Sequence, residues 1–184
     1  MRDKRGFTLL EVIIVVGMIG IMAAIAIPTV MSWVPNYKLK AAARDVYSTL
    51  QKARSMAVKN NGNCAVTFDT SNNEYILCDE WDAAATPPCV GNEQTTAFAS
   101  MGYGIGFGHG NATKQANSSG TVFPLTPDDD VSFDSNSYSF DRRGLGDVPS
   151  GYVYLDNNNS TTYAIGALSS GAIRILKWNG SDWE

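Results

Sequence analysis

The chain has 184 residues, of which 44% are hydrophobic and 17% are charged, so it can form one domain with a core but not two large domains. This composition excludes a fully disordered chain, and a formal net charge of −4 argues against a wholly basic nucleic-acid-binding protein. The single histidine, His109, excludes histidine-rich metal sites, and no two of the three cysteines are spaced as C-x-x-C.

Charge is distributed unevenly along the chain. Residues 1–6 carry a net charge of +2, and Glu11 is the only charged residue in 7–34. Residues 35–60 then carry +5, whereas residues 61–184 carry −10. The sequence therefore predicts four parts: a basic leader, an apolar half of a helix, a basic amphipathic half of the same helix, and an acidic, β-rich globular head.

The apolar segment runs from Phe7 to Pro28 and would form a helix about 33 Å long, enough to cross the hydrocarbon core of a bilayer. The basic residues before it predict a cytoplasmic N-terminus. A cleaved secretory signal has a shorter apolar core followed by a small-residue cleavage site, and neither feature is present. A plain membrane anchor does not explain Glu11, because a carboxylate there costs about 2.5–3.5 kcal/mol to insert. Glu11 is therefore expected to have a partner and a function.

The residues R-G-F-T-L-L-E at 5–11, followed by the apolar run and Pro28, resemble the class III signal of type IV pilins and type II secretion pseudopilins. The resemblance implies that a prepilin peptidase cleaves after Gly6 and that Phe7 is then N-methylated. The retained apolar segment would anchor the chain in the lipid of the bacterial inner membrane, with the head in the periplasm, and would later pack into a filament core. Glu11 would be the assembly glutamate and Pro28 a helix-kinking proline.

The same resemblance implies the partners. They are other pilin or pseudopilin subunits, the prepilin peptidase, and an ATPase-driven assembly platform of the inner membrane.

The helix is predicted to continue past Pro28 and Pro35, with a bend at each, to about Asn60. An apolar stripe at spacings of three and four residues is expected to pack on the protein's own sheet. It consists of Leu39, Ala42, Val46, Leu50, Ala53 and Ala57. The run Asn60–Asn63 is predicted to stop the helix, since Asn and Gly tolerate the left-handed cap conformation.

The remainder of the chain is predicted to be β-rich. A hairpin is predicted from 64–68 and 74–78, and a meander near the C-terminus from 152–155, 162–167 and 172–178. Shorter candidate strands are 101–107, 121–125, 131–133 and 137–140. The predicted fold class is therefore α+β, with one long N-terminal helix packed on an antiparallel sheet.

Two further motifs, F-D-R-R-G-L-G at 140–146 and S-G-A-I-R-I-L-K-W at 170–178, are similar to those of GspH/FimT-type minor pseudopilins. That group carries a Phe-x-x-x-Gly turn, here Phe140 to Gly144, and a Gly-x-x-Arg strand, here Gly171 to Arg174. Some FimT-like relatives bind DNA through basic residues around the second motif, but here Ala172 stands where a basic residue is common.

The chain is therefore predicted to be a minor pseudopilin of type II secretion. The alternative is a minor type IV pilin for DNA uptake or adhesion, which a convergence of Arg142, Arg143, Arg174 and Lys177 would favour. Because phosphate binding depends on clustered cations and the head carries −10, DNA is not expected as a partner.

The cysteines allow two pairings in an oxidising compartment. Cys78 and Cys89 flank a loop that includes Pro87-Pro88, and a disulfide between them is the favoured prediction. The competing pair is Cys64–Cys78 across the hairpin, which depends on the strand register.

No sequence feature indicates catalysis, a metal site or a cofactor. The glycine-rich segment Gly102–Gly110 lacks the Lys-Ser/Thr of a phosphate-binding loop, and His109 within it has no evident partner. Asp128–Asp130 is interpreted as a solvated acidic turn rather than a calcium site, and Trp178 and Trp183 as packing residues. Since no nucleophile and base can be paired, an enzyme is not expected.

Overall fold

The computed structural model describes residues 7–116, 130–158 and 161–184. Within them the fold is α+β, as predicted, with one long α-helix followed by two antiparallel sheets. Gly6, the predicted strand at 121–125, and Asp128 and Asp129 lie outside the described residues.

Helix α1 spans Leu9–Asn60, 52 residues, and is continuous past Pro28 and Pro35. It ends where the sequence predicts. Asn61 takes a φ of 51°, and its N–H donates to Val58 O at 3.4 Å, while the N–H of Gly62 donates to Ala57 O at 3.2 Å. These two bonds form a Schellman cap, which satisfies carbonyl groups that the last turn leaves open.

The chain divides into two compact units at Pro35. In the first unit the exposed large apolar side chains have exposed fractions from 46% at Val30 to 83% at Phe7. The second unit, Asn36–Glu184, contains the rest of α1 and all of the described β structure. From here on, "the head" means this second unit, which joins the globule of residues 61–184 to the part of α1 that packs on it.

The described strands are, in chain order, β1 (Cys64–Asp69), β2 (Glu74–Cys78), β3 (Glu93–Ala97), β4 (Gly106–Phe107), β5 (Ser137–Phe140), β6 (Gly151–Asp156), β7 (Thr162–Ala167) and β8 (Ile173–Lys177). Short 3-10 helices lie at Phe98–Met101 and Asp134–Asn136. The first sheet has the order β3-β2-β1-β5 and the second has β4-β6-β7-β8, with every pairing antiparallel. The predicted hairpin (β1–β2) and meander (β6–β7–β8) are confirmed.

Three strand predictions differ from the structure. Strand β3 was not predicted, because Glu93–Ala97 is polar and its first three residues are exposed at a sheet edge. The predicted strand 101–107 is wrong over most of its length, since residues 102–104 all have positive φ and only Gly106–Phe107 pairs with β6. The candidate strand 131–133 is reduced to one bridge between Val131 and Val153.

The apolar stripe of α1 forms the centre of the head's core. All six of its predicted members are fully buried, in one core cluster with side chains from both sheets. On β2, Tyr75 and Leu77 face this core, and the Tyr75 hydroxyl donates to Asp45 Oδ2 on α1. Burying apolar area in this way stabilises by roughly 25 cal/mol per Å². The stripe thus fixes which face of α1 stays exposed.

Candidate assembly site

The first turn of α1 contains the predicted assembly glutamate. Thr8 Oγ1 accepts the backbone N–H of Glu11 at 3.2 Å, and Thr8 O accepts that of Val12 at 3.3 Å. Thr8 is therefore the N-cap and Glu11 the third helical residue, which is the T-x-x-E spacing of a capping box. This cap was not predicted, although the letters T-L-L-E carry its signature.

The cap gives Glu11 a local role besides the assembly role inferred from resemblance. The first turn of a helix leaves N–H groups without helical acceptors and carries a partial positive charge, so a carboxylate is favourable there. This offsets part of the cost of a charge on an apolar helix.

Among the described residues, Leu9–Ile27 is the one helical segment long and apolar enough to cross a membrane. The chain therefore has an apolar N-terminal helix that can anchor it.

The other predicted functional residues of this segment are Gly6, Phe7 and Pro28. Phe7 is 83% exposed and precedes the helix, while Gly6 lies outside the described range. Pro28 lies within the uninterrupted α1. Cleavage after Gly6, methylation of Phe7 and a kink at Pro28 remain predictions.

The two glycine motifs of the head meet on α1. Arg54 Nε donates to Gly144 O at 3.0 Å. Gly144 and Gly171 have φ values of 74° and 76°, and a Cβ placed on Gly171 would collide with Gly144 O. Nearby, the Tyr138 hydroxyl donates to Leu168 O at 2.6 Å. The motifs thus form a structural joint between the helix, the turn after β5 and the turn before β8.

The basic residues of the head do not form one cluster. Arg142 and Arg143 line a cavity at the end of α1, and Arg143 is paired with Asp141 at 2.8 Å. Arg174 lines a different cavity, over the second sheet, with Tyr152 and other residues. The convergence of cations that would favour DNA binding is therefore not seen for Arg142 and Arg174.

In the structure Cys78 and Cys89 form a disulfide, with a Cα–Cα distance of 5.8 Å. Cys64 is buried and unpaired, and its thiol donates to Asp79 O at 2.9 Å. Burial, with the nearby charges of Asp79 and Glu80, raises the pKa of Cys64 to about 11. Because the thiolate is the attacking species in thiol–disulfide exchange, Cys64 should be inert toward the disulfide.

We expect native, unreduced protein to resist alkylation at Cys64 and to yield a Cys78–Cys89 peptide pair after proteolysis. Peptide mapping with and without unfolding checks this, and Cys64 should react only once the chain is unfolded. A peptide pair containing Cys64 would contradict both the pairing and the inert thiol.

His109 does have a carboxylate partner, contrary to the sequence prediction. Its Nδ1 lies 2.9 Å from Asp130 Oδ1, across 21 residues of chain. The carboxylate of Asp156 lies near this pair and packs against the backbone of Gly108. A Cβ placed on Gly108 would approach Asp156 Oδ1 to 2.6 Å. Burial raises the pKa of Asp156 and the charge of Asp130 adds to the rise, while the Asn158 N–H and His109 oppose it.

Replacing Asp156 by Asn should stabilise the head at neutral pH. When folding raises the pKa of a carboxyl group, the free energy of unfolding falls as the pH rises from the ordinary pKa of about 3.8 through the raised value. It falls because the fold disfavours the charged form. Thermal unfolding of Asp156→Asn and wild type should therefore differ at pH 7 and converge below about pH 4. An unchanged or lower Tm for the variant at pH 7 would contradict the buried-charge penalty.

The two C-terminal tryptophans pack together, and the sequence predicts no metal site. Trp178 is buried, and its ring packs against that of Trp183 with centroids 5.3 Å apart, which confirms both as packing residues. Within residues 7–116, 130–158 and 161–184, no three His, Cys, Asp or Glu side chains are grouped to hold a metal ion.

Two family models match the chain. The prokaryotic N-terminal methylation motif matches residues 1–27, and type II transport protein GspH matches residues 42–171, more than half of the chain. Two fimbrial proteins of Pseudomonas aeruginosa are each 41% identical to it over 58 residues, which cover 32% of this chain and 37% of theirs. No solved structure matches it significantly. The chain therefore belongs to the GspH family of type II transport proteins and is a type IV pilin-like structural subunit.

Proposed function

We propose that the chain is a minor pseudopilin of a type II protein secretion system. One observation carries the proposal. The chain joins an apolar helix to a head of the GspH family, and the only charged residue in 7–34, Glu11, lies in the capped first turn of that helix. A membrane anchor alone has no need of that carboxylate, and a soluble head alone has no need of the apolar helix.

The proposed pathway starts in the inner membrane. The basic leader stays in the cytoplasm and the acidic head lies in the periplasm, as the charge distribution favours. A prepilin peptidase cleaves after Gly6, and the new amino group on Phe7 is methylated. The anchored subunit is then extracted by an assembly platform. Its exposed apolar side chains exchange contacts with lipid for contacts with the helices of neighbouring subunits, where packing rather than a hydrophobic gain drives association.

Glu11 supplies the register in this proposal. The nearest basic side chain along the mature helix is Lys38, about 40 Å away, so it cannot neutralise Glu11 within one subunit. The α-amino group at Phe7 is largely protonated near neutral pH, with a reference pKa of about 7.7–8.0. Pairing Glu11 with the amine of a neighbouring subunit satisfies both charges in an apolar layer and fixes the axial offset between subunits.

The alternative, a minor type IV pilin for DNA uptake or adhesion, has less support. The head is acidic, Arg143 is already paired with Asp141, and Arg142 and Arg174 line separate cavities.

A deletion strain tests the function. Loss of the chain should leave secreted enzymes in the periplasm while DNA uptake and surface adhesion are unchanged, and a plasmid copy should restore secretion. Protein recovered from the complemented strain should begin at a methylated Phe7 by mass spectrometry. A strain that secretes normally but loses DNA uptake would support the alternative, and an intact Met1 in assembled filaments would contradict the proposed processing.

A further inference from the structure

Opposite sides of the head carry opposite charge. The exposed face of α1 presents a row of cations, which we call the basic stripe: Lys40, Arg44, Lys52 and Lys59. On the first sheet lies a cavity of about 500 Å³, which we call the acidic groove. Its charged lining residues are Glu93, Asp134 and Asp147, and it is lined by no Lys, Arg or His.

The groove has an apolar interior and an acidic rim. Its floor is formed by outward-facing residues of the first sheet, including Ile76, and one wall is the loop closed by the Cys78–Cys89 disulfide, with Trp81 and Pro87. Such a cavity suits a side chain with an aliphatic stem and a cationic end. The stem packs on apolar atoms, a guanidinium can lie against the Trp81 ring, and the charge meets carboxylates.

The basic stripe offers such side chains along about 28 Å of helix. Its members are exposed, and no ion pair in the described part of the chain involves Lys40, Arg44 or Lys59. Lys52 donates to Gln94 Oε1 at 2.6 Å. The one acidic residue on this part of α1, Asp45, instead accepts the Tyr75 hydroxyl. The stripe therefore keeps its positive charge on the surface.

One copy cannot fill its own groove. On β2, Tyr75 and Leu77 face α1 and the core, whereas Ile76 points to the other face of the sheet and lines the groove. The groove and the exposed face of α1 thus lie on opposite sides of the head. Two different but complementary patches on opposite sides make a heterologous contact, which can repeat from copy to copy.

We infer that the acidic groove of one copy binds the basic stripe of a second copy, through the cations Lys40 and Arg44, which lie one helical turn apart. The inference goes beyond the proposed function, and the contact can be measured without the secretion machinery.

Charge reversal tests the contact in the purified full-length chain in lipid nanodiscs or detergent. Two donor- and acceptor-labelled pools are mixed and association is followed by fluorescence energy transfer. A stripe variant, Lys40→Glu with Arg44→Glu, and a groove variant, Glu93→Lys with Asp147→Lys, should each self-associate at least about tenfold more weakly, because like charges then face each other. Mixing the two variants should restore association to near the wild-type level, since each then offers the other an opposite charge.

Matched controls reverse exposed charges elsewhere on the head, Arg142→Glu and Asp182→Lys, and should leave association unchanged. Added salt should weaken wild-type association, because at physiological ionic strength it screens exposed charges beyond a Debye length of about 8–10 Å. Circular dichroism verifies that each variant is folded.

Single variants that associate like wild type, or a mixture that associates no better than its parts, would overturn the contact. A chain that associates as expected and yet fails to restore secretion would instead contradict the proposed function and leave the contact standing.

Discussion

Glu11→Ala should abolish incorporation into filaments while leaving cleavage after Gly6 and folding of the head unchanged. Insertion should become easier, because the variant no longer carries a carboxylate that costs about 2.5–3.5 kcal/mol in the apolar layer. Assembly should fail, because the amine of the neighbouring subunit would be left in that layer without its counter-charge. The measurements are the amount of the chain in sheared filaments and secretion by the complemented deletion strain.

Two companion variants separate the charge of Glu11 from its capping position. Glu11→Gln removes the charge but keeps a residue that suits the third helical position of a capping box. Thr8→Ala keeps the charge but removes the Thr8 Oγ1 acceptor, at a cost of about 0.5–2 kcal/mol of helix stability. If the charge drives assembly, Glu11→Gln fails like Glu11→Ala and Thr8→Ala assembles. The reverse pattern would assign the defect to the helix start, and normal assembly of Glu11→Ala would remove the assembly role altogether.

The N-terminal third of the chain could be interpreted from sequence because its information is local. Apolar spacing along α1 predicted the buried stripe, and Asn60–Asn63 predicted the end of the helix, which the cap at Asn61 confirms. The β1–β2 hairpin and the β6–β8 meander were predictable for the same reason, since alternation and turn residues lie within a few positions of each other.

The surfaces of the head could not be predicted in this way. The Arg54–Gly144 hydrogen bond joins residues 90 positions apart, and the His109–Asp130 pair joins residues 21 positions apart. The sequence around each residue does not indicate which residue will be its partner. Strand β3 is polar because it is an exposed edge, so its pattern does not alternate. The acidic groove likewise collects residues from separate segments, which only the sheet order brings together.

Both glycine motifs were recognised by resemblance, but their physical purpose became clear only from the joint on α1. Gly144 O accepts the Arg54 guanidinium and lies against the backbone of Gly171. Because this contact leaves no room for a side chain, and both glycines have positive φ, the spacing of the motifs is a packing requirement. Their presence therefore supports the fold of the head.

Gly171→Ala should be among the most destabilising single substitutions in the head. Alanine at a φ of 76° costs roughly 1–2 kcal/mol from the left-handed backbone alone. Its Cβ would also collide with Gly144 O, so the turn must move away from the carbonyl that Arg54 binds. We expect a total loss of about 3 kcal/mol or more, in the range of buried overpacking and strain combined. In a chain of this size that corresponds to a fall in Tm of about 6–12 °C.

Gly104→Ala is the matched control for this prediction. Gly104 has a similar φ of 64°, but a Cβ there would meet Asn158 Nδ2 at 3.6 Å, an ordinary contact distance, so the variant carries the backbone cost without the collision. Thermal unfolding of both variants in the full-length chain, followed by near-ultraviolet circular dichroism, should give a clearly larger fall in Tm for Gly171→Ala. Equal falls would mean that the turn yields without loss and that the joint between the two motifs is not tightly packed. A larger fall for Gly171→Ala would measure the packing of the joint directly, because the left-handed backbone cost is common to both variants and cancels in the difference.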